Sequence, residues 1–137
     1  MAAGTKFNQF VEDLAKGVHN LSTGSLKMLL SNVAPSPTNL TKADITEIAA
    51  GNGYTAGGIA LTGVSAEQVG GVLSLVAGDV TVTAAGGSMA AWRYPVLYND
   101  SAASDQLIAF WDRGASVTLA TGESETLDIG AYLFQLT

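Results

Sequence analysis

Cysteine is absent from the 137 residues, and histidine occurs once, at His19. No disulfide, thiolate zinc site, iron-sulfur cluster or cysteine nucleophile can form, and a metal centre needing two histidines cannot be built within one chain. Cations are also few: 6 Lys+Arg stand against 12 Asp+Glu, a formal charge of -6. Nucleic-acid affinity rests largely on clustered cations that displace counterions from phosphates, and the basic residues here are scattered. No nucleic-acid partner is expected. Gly, Ser, Thr or a charge interrupts every apolar run before the roughly 18 residues that span a bilayer, so no membrane partner is expected either. The opening Met1 to Asn8 lacks the charged start and apolar stretch of a secretory leader, and the chain is expected to stay where it is made.

What is present is a hydrophobic fraction of 47% in which alanine weighs heavily, alongside 16 glycines. Such a length supports one compact domain without staples, although small side chains make its core thin. Phe7, Phe10, Val11, Leu14 and Val18 recur at three- and four-residue steps, which predicts a helix over Lys6 to Lys16 with Gly17 as its C-terminal cap. From Ser25 onward the pattern becomes short and β-rich. Strands are expected at Leu26–Leu30, Ile45–Ala49, Ile59–Val64, Val72–Val76, Val80–Ala84, Trp92–Tyr98, Leu107–Trp111, Val117–Ala120, Thr126–Ile129 and Leu133–Leu136. Their spacing of roughly ten residues argues for a mainly β fold, an antiparallel sandwich or barrel-like domain over 25–137, preceded by a helical segment over 1–24. Hairpins are expected between Trp92–Tyr98 and Leu107–Trp111, and between the Val117 and Leu127 regions. Pro95 should place its strand at an edge or beside a bulge.

No pattern carries catalysis. Gly51-Asn-Gly-Tyr-Thr-Ala-Gly-Gly58 lacks the lysine and the following helix of a phosphate loop, and reads as a structural or interfacial loop with Tyr54 as an exposed contact. His19 reads as helix-end packing, since no serine stands in a nucleophile elbow. Asp100, Asp105 and Asp112 lack a calcium-loop ladder and read as solvated turns. The expectation is no catalytic residue, no metal and no cofactor. Both tryptophans and both arginines fall between Trp92 and Arg113. Most of those aromatics should be core, which leaves Arg93 and Arg113 as contact candidates, because a core has no use for an unpaired guanidinium. Ala34-Pro-Ser-Pro-Thr-Asn39 reads as an extended arm, adding Pro35 and Pro37 to the candidate contacts.

Five stretches resemble a group of small virion structural proteins of tailed bacteriophages: Phe7 to Leu21, Leu26 to Pro35, Ile48 to Gly58, Arg93 to Asp100 and Phe110 to Leu119. The resemblance implies a non-enzymatic virion component, made in the host bacterial cytoplasm and resident in the particle. A capsid decoration or cement protein is the leading expectation, with the major capsid protein or another virion protein as partner and a homo-oligomer as its state. A tail, neck or fibre-associated component and a host-glycan-binding module are the alternatives.

Overall fold

A computed structural model describes residues 4–136. The order is β1 (Thr5–Lys6), α1 (Asn8–Ala15), β2 (Leu26–Ser31), β3 (Ile59–Ala60), β4 (Ser65–Val69), β5 (Val72–Val76), β6 (Val80–Thr83), β7 (Tyr94–Asn99), β8 (Leu107–Phe110), β9 (Ser124–Leu127) and β10 (Phe134–Leu136). The fold is mainly β and antiparallel, with one α-helix near the start, as the sequence predicts. The strands form a five-stranded sheet in the order β1-β8-β7-β2-β3, a three-stranded sheet β10-β5-β4 and the pair β6-β9.

The helix is shorter than its apolar stripe predicts. Gly17 ends it at φ +79, with the Gly17 N–H on the Leu14 carbonyl and the Val18 N–H on the Asp13 carbonyl, the paired bonds of a Schellman cap. Phe7 and Phe10 are fully buried, but Val11 is exposed while Asp13 is buried. The buried arc is centred on Phe10 and reaches round to Asp13, about 60° away, rather than to Val11, about 100° away in the other direction. The start of α1 has no side-chain cap; instead the Asn8 N–H donates to the Pro37 carbonyl at 2.9 Å. The N-terminal stretch is more than helical, because β1 adds a strand to β8.

Strands β2 and β7 are buried along nearly their whole length on both faces, which makes them the centre of the molecule. Leu26, Leu30, Met28, Val96 and Leu97 lie there beside Trp92 and Trp111 in one core. The β7–β8 hairpin forms as expected, with a bulge where Leu97 faces Ala109 and Tyr98 faces Leu107. Pro95 is not on an edge strand. Leu30 opposite it turns its own N–H and C=O away, to the Tyr54 hydroxyl and the Ile48 N–H. On the other side Trp111 donates to the Pro95 carbonyl where β8 has just ended, so the missing N–H costs one bond at a ladder end.

Two expected strands are absent. Ile45–Ala49 makes only the single bridge Ser31–Glu47, and Val117–Ala120 only the bridge Trp92–Val117. The hairpin expected between the Val117 and Leu127 regions is replaced by a long-range pair, β9 with β6, in which Val80 faces Leu127 and Val82 faces Glu125. The Thr83 and Ser124 hydroxyls hydrogen-bond across that pair at 2.7 Å.

Candidate interaction surface

Tyr54 is not an exposed contact: it is 3% exposed and belongs to the core. Its position follows from where β3 stops. Beyond Met28 the outer edge of β2 has no strand beside it, and the Leu30 N–H donates instead to the Tyr54 hydroxyl at 3.2 Å. That hydroxyl donates in turn to Glu47 Oε1 at 2.7 Å, and the same oxygen accepts the Gly57 N–H at 2.6 Å. The Gly57 carbonyl accepts the Tyr98 hydroxyl at 2.5 Å. The glycine loop is thus stapled inward onto β2 and β7. Its other side joins the segment that follows β6: the Ala85 N–H donates to the Asn52 carbonyl, and the Asn52 side-chain amide donates to the Ser88 carbonyl at 2.9 Å. Burial pushes both phenols up, Tyr98 to about 12, so both stay protonated at neutral pH. Tyr54→Phe removes an acceptor from a buried N–H and a donor from Glu47. It is expected to lower stability by about 1–3 kcal/mol, measured by urea denaturation, without loss of the β signal in circular dichroism.

Arg93 and Arg113 are brought together. Continuing the β7–β8 register places them directly opposite one another, and the Arg113 N–H donates to the Arg93 carbonyl at 3.0 Å. Like charges facing across a ladder repel, and each guanidinium has its own carboxylate. Arg93 forks onto Asp112 at 2.7 and 3.0 Å, and Arg113 forks onto Glu125 of β9 at 2.6 and 2.5 Å. Asp112 is held below the usual carboxylate range, first by the Arg93 hydrogen bonds and then by the Gly114 N–H. Both guanidiniums stand partly in solvent, with side-chain exposures of 35% and 29%. They also cover aromatics: Arg93 lies 5.3 Å from the Tyr94 ring and Arg113 lies 5.7 Å from the Trp92 ring. Beside them opens a cleft of about 460 Å³, walled by Pro95 and Trp111 on one side and Glu125 to Asp128 on the other.

Pro35 and Pro37 lie on a surface loop that begins next to this pair of arginines. The Ser31 carbonyl accepts the Arg93 N–H, and Asn32 accepts the Ser116 hydroxyl at 2.8 Å. The loop is no free arm. The Ser36 N–H bonds Asn39, the Asn39 N–H bonds the Ser36 carbonyl, and the Pro37 carbonyl holds the start of α1. Its outer side carries Val33 and Leu40 at 54% and 51% exposure, with Pro37 also exposed. The structure therefore joins Arg93, Arg113 and the start of the proline loop on one face and removes Tyr54 from it.

Sequence reasoning missed the acidic partners. Asp112 was legible from the hairpin register; Glu125 was not, because it arrives on a strand whose partner lies more than forty residues earlier. The other acidic residues do not gather: Asp100 pairs with Lys27 at 3.3 Å while Asp112 pairs with Arg93. Among the described residues no group of three or more His, Asp or Glu is placed to hold a metal ion, and no helix is long and apolar enough to cross a membrane. No known family, curated protein or solved structure matches the chain.

Proposed function

We propose that this protein works by association, as a structural component of a phage virion, and that its leading role is capsid decoration or cementing by binding the assembled shell as a homo-oligomer. The observation that carries the associative reading is the face where two partly exposed Arg–carboxylate forks stand side by side, next to Ser31 and Asn32 where the proline loop begins. A fork whose arginine side chain is about a third exposed can exchange its carboxylate for one on a partner, keeping bidentate geometry while adding contact area. The virion assignment and the major capsid protein as partner rest on the resemblance of the five sequence stretches. The mechanism is mass action: a protein that binds only the assembled lattice stabilises it by its binding free energy at every site. Symmetric self-association multiplies that contact.

A tail, neck or fibre-associated role uses the same face and differs in copy number. A glycan-binding role would need an exposed aromatic platform. Trp92 and Trp111 are 0% and 2% exposed, which leaves Tyr132 at 44% as the large exposed aromatic.

The test recombines purified protein with particles stripped of it. Arg93→Ala and Arg113→Ala are each expected to weaken binding about tenfold or more while leaving the unfolding midpoint close to that of the parent. If both variants unfold instead, the arginines serve the fold and this face is wrong. If neither changes occupancy, the contact lies elsewhere.

A further inference from the structure

His19 lies in the turn after α1, 5% exposed, with its ring centroid 5.3 Å from that of Phe10. Its Nδ1 is 3.1 Å from the side-chain nitrogen of Asn99 on β7. The Asn99 amide has a fixed orientation, because its oxygen accepts the Ser101 N–H at 3.0 Å and the Ser101 hydroxyl at 2.5 Å. Its NH2 group must then be the donor, Nδ1 the acceptor, and Nε2 the protonated nitrogen of a neutral ring. Nε2–H meets no acceptor among the described residues. The charged group acting on the ring is Asp13 of α1, also buried. The elements around it contribute uncharged groups: Asn99 from β7, and Ala66 of β4 and Leu73 of β5 across the adjoining cleft.

We propose that His19 is a proton-sensitive latch tying the end of α1 and the segment 18–24 to β7. Protonation places an N–H on Nδ1 against the Asn99 N–H, and the amide cannot turn to accept it without breaking both bonds to Ser101. Burial holds the imidazole below its ordinary range, against the opposing pull of Asp13. The sign follows from which state takes the proton. A released imidazole binds it near the ordinary value of about 6.5, whereas the latched ring binds it only at lower pH. The latch is therefore intact above that value and weakens as pH falls below it. From pH 7.5 to 5.5 the released population should rise, by at most about tenfold. Release uncovers Leu21, which is buried in the closed state.

With one histidine in the chain, nitrogen-detected NMR reads this ring without ambiguity. The expected result is a neutral ring protonated on Nε2 at pH 7.5 that titrates below 6.5. Amide exchange, corrected for its intrinsic pH dependence, should speed up at pH 5.5, by at most about tenfold, for Val18 and Gly24, whose N–H groups are held by Asp13 and Asn20. The β2–β7 ladder should keep its protection. His19→Gln keeps an acceptor for Asn99 without a titrating proton and should abolish the acid response. A ring titrating at or above 6.5, unchanged exchange at Val18 and Gly24, an equal rise throughout the β-sheet, or an acid response that persists in the Gln variant would each overturn the latch.

Discussion

Trp92→Ala is expected to cost about 3–5 kcal/mol of folding stability, a large share of the roughly 5–15 kcal/mol a domain of this kind holds. The indole is fully buried, and the backbone of Trp92 exchanges two hydrogen bonds with Val117 at 3.0 and 2.9 Å. Its Nε1 meets no acceptor among the described residues, so truncation removes packing and the cover of Arg113 rather than a hydrogen bond. Besides this bridge, the segment around Val117 is tied by the Met89 N–H on the Leu119 carbonyl and the Ser116 hydroxyl on Asn32, and with the indole gone it should loosen first. Urea denaturation with amide exchange at Val117 checks both parts. A variant of near-parent stability that lost only a binding property would show instead that the indole is an exposed contact.

Gly58→Ala is expected to cost about 2–5 kcal/mol. Gly58 has φ +88, where a Cβ costs about 1–2 kcal/mol. The added carbon would also overlap the Met28 carbonyl oxygen and lie 2.7 Å from Leu29 Cα, both backbone atoms of the central strand β2. Neither can move without disturbing the ladder to β7, so overpacking adds about 1–3 kcal/mol. Gly70→Ala separates the two terms. Gly70 has φ +60 in the tight β4–β5 turn, with nothing near the position a Cβ would take, and should show the conformational cost alone. Equal unfolding midpoints for the two variants would mean that the glycine loop does not press on β2.

Which parts of this fold are legible in the sequence depends on the range of the interaction that decides them. The Schellman end of α1 needs only Gly17 and its neighbours, and the β7–β8 hairpin needs only two apolar runs with the turn-forming Asn99 to Asp105 between them. Val80–Thr83 is legible as a strand through its Val and Thr content, and β9 only in part, since the expected Thr126–Ile129 meets it at Thr126 and Leu127; in both, alternation specifies a face and not a partner. Their pairing across more than forty residues is decided by the whole core. Ser65–Val69 passes unnoticed because an outer strand in a three-stranded sheet needs little apolar content. Ile45 and Ile48 look like strand residues, yet they only pack against the core from a segment held by the Ile48 N–H on Leu30.

The site divides in the same way. Arg93 and Arg113 stand out because guanidiniums are costly to bury, and both do stand at the surface. Tyr54 misleads because a tyrosine among glycines reads as solvent-facing. Its burial is set by an unpaired N–H on Leu30, twenty-four residues away, and by Glu47, and neither relation leaves a local trace. The proline loop shows its exposure in the sequence, but the carbonyl of Pro37 as the acceptor at the start of α1 is a three-dimensional fact.

The most direct test of the associative virion reading is the protein's copy number and position in purified particles, measured by quantitative mass spectrometry and cryo-electron microscopy. The account predicts hundreds of copies on the outer shell, with the Arg93 and Arg113 face turned toward the capsid or a neighbouring copy. Absence from the particle, or an exposed arginine face with no contact upon it, would contradict the account.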